Sequence, residues 1–407
     1  MRRASIISIA LTLGLVASPS MAQEPLTARK AVDLAIAENP RMKAAERQIE
    51  AARARETQAA ALPNPNLSLQ AEEVPISNPG GGTFLVGISQ PLLLGGQRDA
   101  RVGGARLDRQ LAEIDREVLR RDLAAEVRDA YARLLFMQEG VRLARSNREA
   151  AESLLQATRA RYKAGELAKV EVLREEVERS RAERDVAAAE GRELQARGRL
   201  NVLLGRSAQS PLSVQPLQDP PLASLPPIAQ LVSRSLESRV ELQRAGLAIE
   251  RERLQRRLAQ AGLWTGTEVG VSGGMIEGQP GVSGGITIPI PFYRQQGEVA
   301  EAEANRLRAE AERDALRNTI SLEVEEAYRE ARSSAQQAEL FRSSYVPQAG
   351  QLADNARRRF LAGEGSGLDV IDAQRALRET QASYQQALLE YRQAIARLER
   401  AVGADLP

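Results

Sequence analysis

The chain has 407 residues, and its 56 lysines and arginines nearly balance 54 aspartates and glutamates. It contains no cysteine and no histidine, which excludes disulfides, thiolate nucleophiles, cysteine-based zinc sites and histidine general bases. Charged residues make up 27% of the chain and aromatic residues 3%, a composition that favours long helices and coiled coils over a compact α/β enzyme. We therefore predict no enzyme activity, no cofactor, no metal site and no nucleic-acid partner.

The first 22 residues have the pattern of a secretory signal peptide. Arg2 and Arg3 precede an apolar run from Ile6 to Val16, and Ser20–Ala22 provides a cleavage site with small flanking residues. The alternative is an uncleaved membrane anchor. This is disfavoured because a spanning helix needs about 20 apolar residues and the run from Ile6 to Val16 is shorter. We predict a signal peptide over residues 1–22 and export of the remaining chain.

The sequence is duplicated internally, with an offset of about 198 residues. The segment Arg161–Glu166 recurs as Arg359–Glu364. Two further pairs of segments match at nearly the same offset: Glu126–Tyr131 with Glu323–Tyr328, and Leu200–Gly205 with Leu398–Gly403. The three segments have the same order in both copies. We infer one structural unit written twice, and we predict a first repeat over residues 23–205, a proline-rich linker over 206–227 and a second repeat over 228–403.

Each repeat shows the same order of elements. A helical stretch comes first, roughly Leu26–Leu62 and Ile228–Gly262, followed by a β-hairpin, a very long helix, a glycine-containing turn and a last helix. We expect Pro347 to kink the long helix of the second repeat. The predicted bounds are 66–94, 96–164 and 170–204 in the first repeat, and 266–292, 296–362 and 368–402 in the second. A heptad seam predicts nearly parallel packing of the last helix: Tyr384, Leu388, Tyr391, Ile395, Leu398 and Val402.

Four segments alternate apolar and polar residues with a period of two, which predicts β-strands. Glycine and proline residues at Asn78–Gly82 and Glu277–Pro280 separate the strands of each pair. Each strand has about the length that crosses a membrane when tilted, ~9–11 residues. The alternative is a small soluble sheet that caps a helical bundle. Because membrane barrels need about eight strands or more, four spanning strands require several copies of the chain to share one barrel.

This duplicated plan resembles the TolC-type outer membrane efflux channels of Gram-negative bacteria, from about Leu26 to Gly403. Several short motifs are similar to the CzcC-like branch that serves heavy-metal pumps: Ala35–Pro40, Leu62–Pro65, Gln90–Pro91 with Gly95–Arg98, and Ile288–Phe292 followed by Gly297. The resemblance implies a mainly α fold with a small β-barrel contribution. Three chains would form a long antiparallel coiled-coil tunnel in the periplasm and a 12-stranded barrel in the outer membrane.

The resemblance also implies a function and partners. The chain would be the exit duct of a tripartite efflux system, exporting heavy-metal cations together with a periplasmic adaptor and an inner-membrane RND pump. Drugs or other organic compounds are an alternative cargo. A soluble periplasmic coiled-coil scaffold or adaptor is an alternative of another class. An enzyme with paired carboxylates is disfavoured, because the acidic residues mostly alternate with arginine on helices.

Two kinds of candidate site follow from the resemblance. Exposed turns would dock the adaptor, although they also serve simply to reverse the chain: Ala164, Gly165 and Glu166, and Ala362, Gly363, Glu364, Gly365 and Gly367. Asp369 and Asp372, three residues apart on one helix face, would ring a closed periplasmic aperture. The alternative for these aspartates is stabilisation of a helix N-terminus. The first repeat has Glu171 and Arg174 at the matching positions, so a ring there would have mixed charge.

Overall fold

The computed structural model describes residues 25–72, 82–217, 225–277, 279–290 and 295–404. The predicted signal peptide lies outside the described residues. So do most of the first predicted hairpin turn, Gly278 in the second, part of the linker, and the Pro291–Phe292 end of one motif.

The described part of the chain is mainly helical, with one small sheet, as the sequence predicts. Its elements follow one another in this order: α1 (Ala28–Glu38), α2 (Pro40–Ala60), β1 (Asn66–Glu72), β2 (Thr83–Pro91), α3 (Gln97–Lys163), α4 (Lys169–Leu203), α5 (Ile228–Ser238), α6 (Val240–Ala261), β3 (Glu268–Ile276), β4 (Gln279–Thr287), α7 (Gln295–Leu340), α8 (Val346–Leu361) and α9 (Gly367–Val402).

The longest element is α3, whose 67 residues span about 100 Å at ~1.5 Å per residue. The following helix, α4, runs back along it, and ion pairs such as Arg159–Glu176 (2.7 Å) and Arg145–Glu190 (2.6 Å) join their exposed edges. The same arrangement brings α9 back along α8 and α7. Most of the predicted seam of α9 is buried, including Leu388, Tyr391 and Leu398.

The helical stretch that opens each repeat consists of two helices. The first break lies at Asn39, which precedes Pro40 and has an extended backbone because proline disfavours the helical region for the preceding residue. The Asn39 side chain accepts a hydrogen bond from the Arg41 amide (2.8 Å) and donates one to the Leu203 carbonyl (2.9 Å). The second break has no proline. There the buried Arg239 guanidinium donates to the Ala401 carbonyl (3.1 Å), so each break is tied to the end of its repeat's last helix.

A single turn of wider π-helix, Phe341–Tyr345, joins α7 to α8 just before Pro347. Proline cannot donate the backbone hydrogen bond of a regular helix, so the irregularity lies where the sequence predicts one. The corresponding part of the first repeat lies within α3, which is continuous.

The four strands form one antiparallel sheet in the order β1-β2-β3-β4. The hairpins of the two repeats meet at β2 and β3, where Val86 is opposite Gly273 and Ile88 opposite Val271. One face is apolar and exposed, and its large residues are Leu67, Leu69, Phe84, Val86, Ile88, Val269, Val271, Met275, Val282 and Ile286. The other face consists mainly of Gly, Ser and Thr residues.

The main apolar core lies where α1, α3 and the end of α4 meet, around Leu123, Leu134 and Leu200. Buried Tyr131 of α3 donates its hydroxyl hydrogen bond towards the carbonyls of Leu26 (2.7 Å) and Gln215 (2.6 Å), which attaches the start of the linker to this core. Within the described residues, each helix is either too short or too polar to cross a bilayer.

Candidate functional site

The first helix-to-helix turn lies between α3 and α4. Gly165 adopts a positive φ of 79°, which glycine accommodates without the steric cost that a side chain brings. Its amide bonds to the Tyr162 carbonyl (3.0 Å), and the Glu166 amide bonds to the Arg161 carbonyl (3.0 Å). Ala164, Gly165 and Glu166 are all exposed, and a Cβ atom at Gly165 would meet open space.

The second turn, between α8 and α9, repeats this geometry. Gly363 has a φ of 82°, and the Glu364 amide bonds to the Arg359 carbonyl (2.9 Å). Ala362, Gly363 and Glu364 are exposed. Gly365 and Gly367 are half-buried because both lie against Phe360. The residues that the sequence predicts for docking therefore fall into an exposed tip and an inner, packed part.

The two turns lie side by side, a contact that sequence reasoning missed. The Arg161 guanidinium of α3 donates a hydrogen bond to the Phe360 carbonyl of α8 (3.0 Å) and lies 4.9 Å from the centre of the Phe360 ring. Phe360 is 2% exposed and packs with Leu154 and Val370, and Leu167 and Ala356 lie against them. We call these five residues and Arg161 the turn junction.

Asp369 lies in the first turn of α9, where it takes part in a capping box. Its carboxylate accepts a hydrogen bond from the Ser366 amide (3.3 Å), while the Ser366 hydroxyl oxygen accepts one from the Leu368 amide (3.1 Å). Asp372 is exposed, and its carboxylate lies 3.7 Å from the Arg375 guanidinium. Both aspartates line a surface cleft of about 440 Å³, together with Arg359 and Gly365.

At the matching positions of the first repeat, Glu171 and Arg174 form an ion pair with each other (3.0 Å). One residue further along α4 lies Glu175, which is only 3% exposed. Burial, together with the neighbouring Glu178 and Glu171 carboxylates, raises the pKa of Glu175 to about 7. Sequence reasoning missed Glu175, although a signal was available. The apolar stripe of α4 at Val172, Ala182, Val186 and Ala189 includes position 175 at heptad spacing.

A long two-part helical frame, a four-stranded sheet at one end and paired turns at the other can be compared with known proteins. The sequence model of the outer membrane efflux protein family matches residues 31–206 and, a second time, residues 231–404. The chain belongs to the outer membrane efflux protein family. This membership confirms the predicted resemblance and places the protein in the outer membrane of a Gram-negative bacterium.

Individual members of the family are similar over nearly the whole chain. The cobalt-zinc-cadmium resistance protein CzcC of Cupriavidus metallidurans is 29% identical over 398 residues, which are 95% of this chain and 92% of CzcC. A solved structure of CusC matches at 17% identity and a TM-score of 0.75, covering 93% of this chain and 92% of CusC. The outer membrane protein VceC of Vibrio cholerae matches at the same identity and TM-score, covering 93% and 97% of the two chains. These structural likenesses confirm the predicted fold class.

Proposed function

We propose that this outer membrane efflux protein is the exit duct of a tripartite system that exports heavy-metal cations. The similarity to a cobalt-zinc-cadmium resistance protein over 95% of the chain supports this cargo. In this proposal the signal peptide at residues 1–22 directs export, a periplasmic adaptor joins the duct to an inner-membrane RND pump, and the pump supplies the energy.

The sheet is the part that we propose to lie in lipid, and its exposed apolar face is the observation that carries the proposal. Leu69 is 75% exposed and Val282 is 79% exposed in the isolated chain. Such a row of large apolar side chains is costly in water, at ~25 cal/mol per Å², and favourable against acyl chains.

The order of the strands supports a homotrimer. β1 and β4 lie at the two edges of the described sheet, and each has one side unpaired by another described strand. Unpaired backbone groups are excluded energetically from the hydrocarbon core, so β1 of one copy would pair with β4 of the next. Three copies would close twelve strands, with the Gly, Ser and Thr face lining the water-filled interior.

The turns and the aspartates receive separate roles in this proposal. The exposed tips at Ala164–Glu166 and Ala362–Glu364 would dock the adaptor, and Gly365 and Gly367 would support the second tip from within. Asp369 and Asp372 would surround the periplasmic aperture, where six carboxylates from three copies would attract cations. Because the chain has no histidine or cysteine, tight coordination of soft metals is assigned to the pump.

The experiment is deletion of the gene in its own host, followed by growth on cobalt, zinc, cadmium, copper and a panel of drugs. We expect loss of resistance to one or more of the metals, with drug resistance unchanged, and recovery when the intact gene is returned. Sensitivity to drugs alone would instead identify organic compounds as the cargo. Unchanged growth on every compound would contradict the proposed export function.

A further inference from the structure

The buried Glu175 carboxyl lies where α4 meets the first residue of α9. A Cβ atom at Gly367 would lie 3.9 Å from Glu175 Oε1, 3.7 Å from Glu171 Oε2 and 3.6 Å from the Phe360 ring. Glu175 is thus enclosed between the first repeat's last helix and the beginning of the second repeat's last helix.

Among the described residues, Glu175 has no hydrogen-bond or ion-pair partner, whereas the charged groups around it are already engaged. The engaged groups come from α3, α4, α8, the two turns and the start of α9: Arg159 with Glu176, Arg161 with Glu166, Glu171 with Arg174, Glu178 with Arg181, Arg359 with the Glu364 carbonyl, and Asp369 with the Ser366 amide. From α8, the uncharged Phe360 ring faces the same space. An ionised carboxylate at this position therefore loses water without gaining a counter-charge.

The second repeat shows that the packing does not require a carboxyl group here. With the offset of the duplication, Glu175 corresponds to Ala373, which is 5% exposed on α9. A small apolar side chain occupies the equivalent buried position, so the duplicated fold can pack there without a carboxyl group. A group that costs stability when charged and that the packing does not require is a candidate for regulation.

The helices that lead to the two turns differ: one is a continuous helix and the other is interrupted. α3 is one unbroken helix down to the first turn, whereas α7 and α8, which lead to the second turn, are joined by the π-helical segment Phe341–Tyr345. Irregular backbone of this kind is common at functional bends. A bend at this segment would move α8 and α9 relative to α3 and α4.

We infer that Glu175 is a proton-binding switch: in its neutral form it lets α9 pack against α4, and on ionisation it loosens the second turn from the first. This inference rests on the proposed function, in which Asp369 and Asp372 of α9 surround the periplasmic aperture, so that loosening the second turn would move them. Glu175 acts as a positioning residue, because its effect on the aperture passes through the junction.

The sign of the pH effect follows from proton linkage. Burial in the packed state, together with the neighbouring Glu178 and Glu171 carboxylates, raises the pKa of Glu175 from 4.5 to about 7. The part of this increase that is due to burial makes the packed state bind more protons than the loosened one in this interval. Packing is therefore fully stabilised below pH 4.5 and is progressively lost as the pH rises towards 7. Between pH 5 and pH 8 the ratio of packed to loosened junctions is expected to fall by at most on the order of 100-fold, because the effect of Glu178 and Glu171 on α4 remains in both states.

The test uses the natural absence of cysteine. Spin labels are placed at Lys163→Cys and Leu361→Cys, exposed positions beside the two turns, in the full chain purified in detergent. Co-expression with excess cysteine-free chain makes assemblies with more than one labelled copy rare, so that the signal comes from label pairs within one chain. Pulsed electron–electron resonance then measures the distance between the labels at pH 5 and pH 8.

We expect a single short distance at pH 5 and a second, longer one at pH 8. Glu175→Gln and Glu175→Ala should keep the short distance at both values, because neither side chain ionises. Glu176→Gln is the matched control, since it removes an exposed carboxylate next in sequence, and it should respond like the parent. An unchanged parent distance, or a pH response that persists in both Glu175 variants, would overturn the inference.

Conductance of the same preparation in a planar bilayer separates this result from the proposed function. A chain that conducts but shows no pH-dependent distance contradicts the switch alone. A chain that shows the distance change but never conducts contradicts the duct and supports the switch.

Discussion

Replacing Asp369 and Asp372 together by Asn tests the proposed aperture. Asp369 accepts a hydrogen bond from the Ser366 amide, and an Asn side-chain oxygen can accept the same bond. The substitution therefore removes the charge while keeping the cap. Asp372 is exposed and only loosely paired with Arg375 at 3.7 Å, so its loss is expected to affect stability little.

The effects on stability and on block by cations are measured separately. Loss of the charge at the helix N-terminus costs about 0.3–1 kcal/mol of stability, and loss of the exposed pair costs about 0–1 kcal/mol. In contrast, one carboxylate about 10 Å from a divalent cation contributes about 0.8 kcal/mol in water before screening by salt. With six such charges removed from a trimer, we expect block by divalent cations to weaken at least about tenfold, or ~1.4 kcal/mol.

The assay is single-channel recording in a planar bilayer, with increasing concentrations of a divalent cation added on the periplasmic side. Asp314→Asn is the matched control, because it neutralises an exposed aspartate on α7, far along the chain from the turns. It should leave the block unchanged. If the double Asn variant is blocked at the same concentration as the parent, these aspartates do not surround the aperture.

Three further variants test the turns, the turn junction and the break at Asn39. Arginine at both Gly165 and Gly363 should abolish resistance while leaving trimers intact on native gels. Each side chain would enter open space, so the only structural cost is backbone strain at a positive φ. Normal resistance in this variant would contradict adaptor docking at the turns. Phe360→Ala should lower the free energy of unfolding by about 3–5 kcal/mol, measured with denaturant. Leu361→Ala, at the exposed neighbouring residue, should lower it far less. Equal losses would contradict the role of Phe360 packing in the turn junction. Asn39→Ala should lower the melting temperature, because the Leu203 carbonyl loses its hydrogen-bond donor and the protein loses about 1–3 kcal/mol of stability. An unchanged melting temperature would show that this hydrogen bond does not stabilise the fold.

The sheet could be predicted from local pattern, because the alternation of Leu67 and Leu69 with polar neighbours needs no knowledge of distant residues. The pairing of β2 with β3 could not be predicted in the same way. It joins Val86 to Gly273, far apart in sequence, and depends on how the two repeats dock. The break at Asn39 had a visible cause in Pro40, whereas the break at Arg239 depends on carbonyls at the far end of α9.

The candidate site shows the same division. The duplicated segment and its glycines located both turns, where Gly165 and Gly363 adopt a positive φ in the structure. The contact of Arg161 with Phe360 is tertiary and left no trace in local pattern. Glu175 is intermediate: its heptad position indicated burial, but only the structure shows that no hydrogen-bond or ion-pair partner lies near it among the described residues.

The most direct test of the account is insertion of the purified, intact chain into a planar lipid bilayer, with single-channel conductance as the measurement. We expect discrete conductance steps from a preparation whose mass in detergent corresponds to three copies. A preparation that dissolves in buffer without detergent as a monomer, and that produces no steps, would contradict the proposal that three chains share one membrane-embedded sheet.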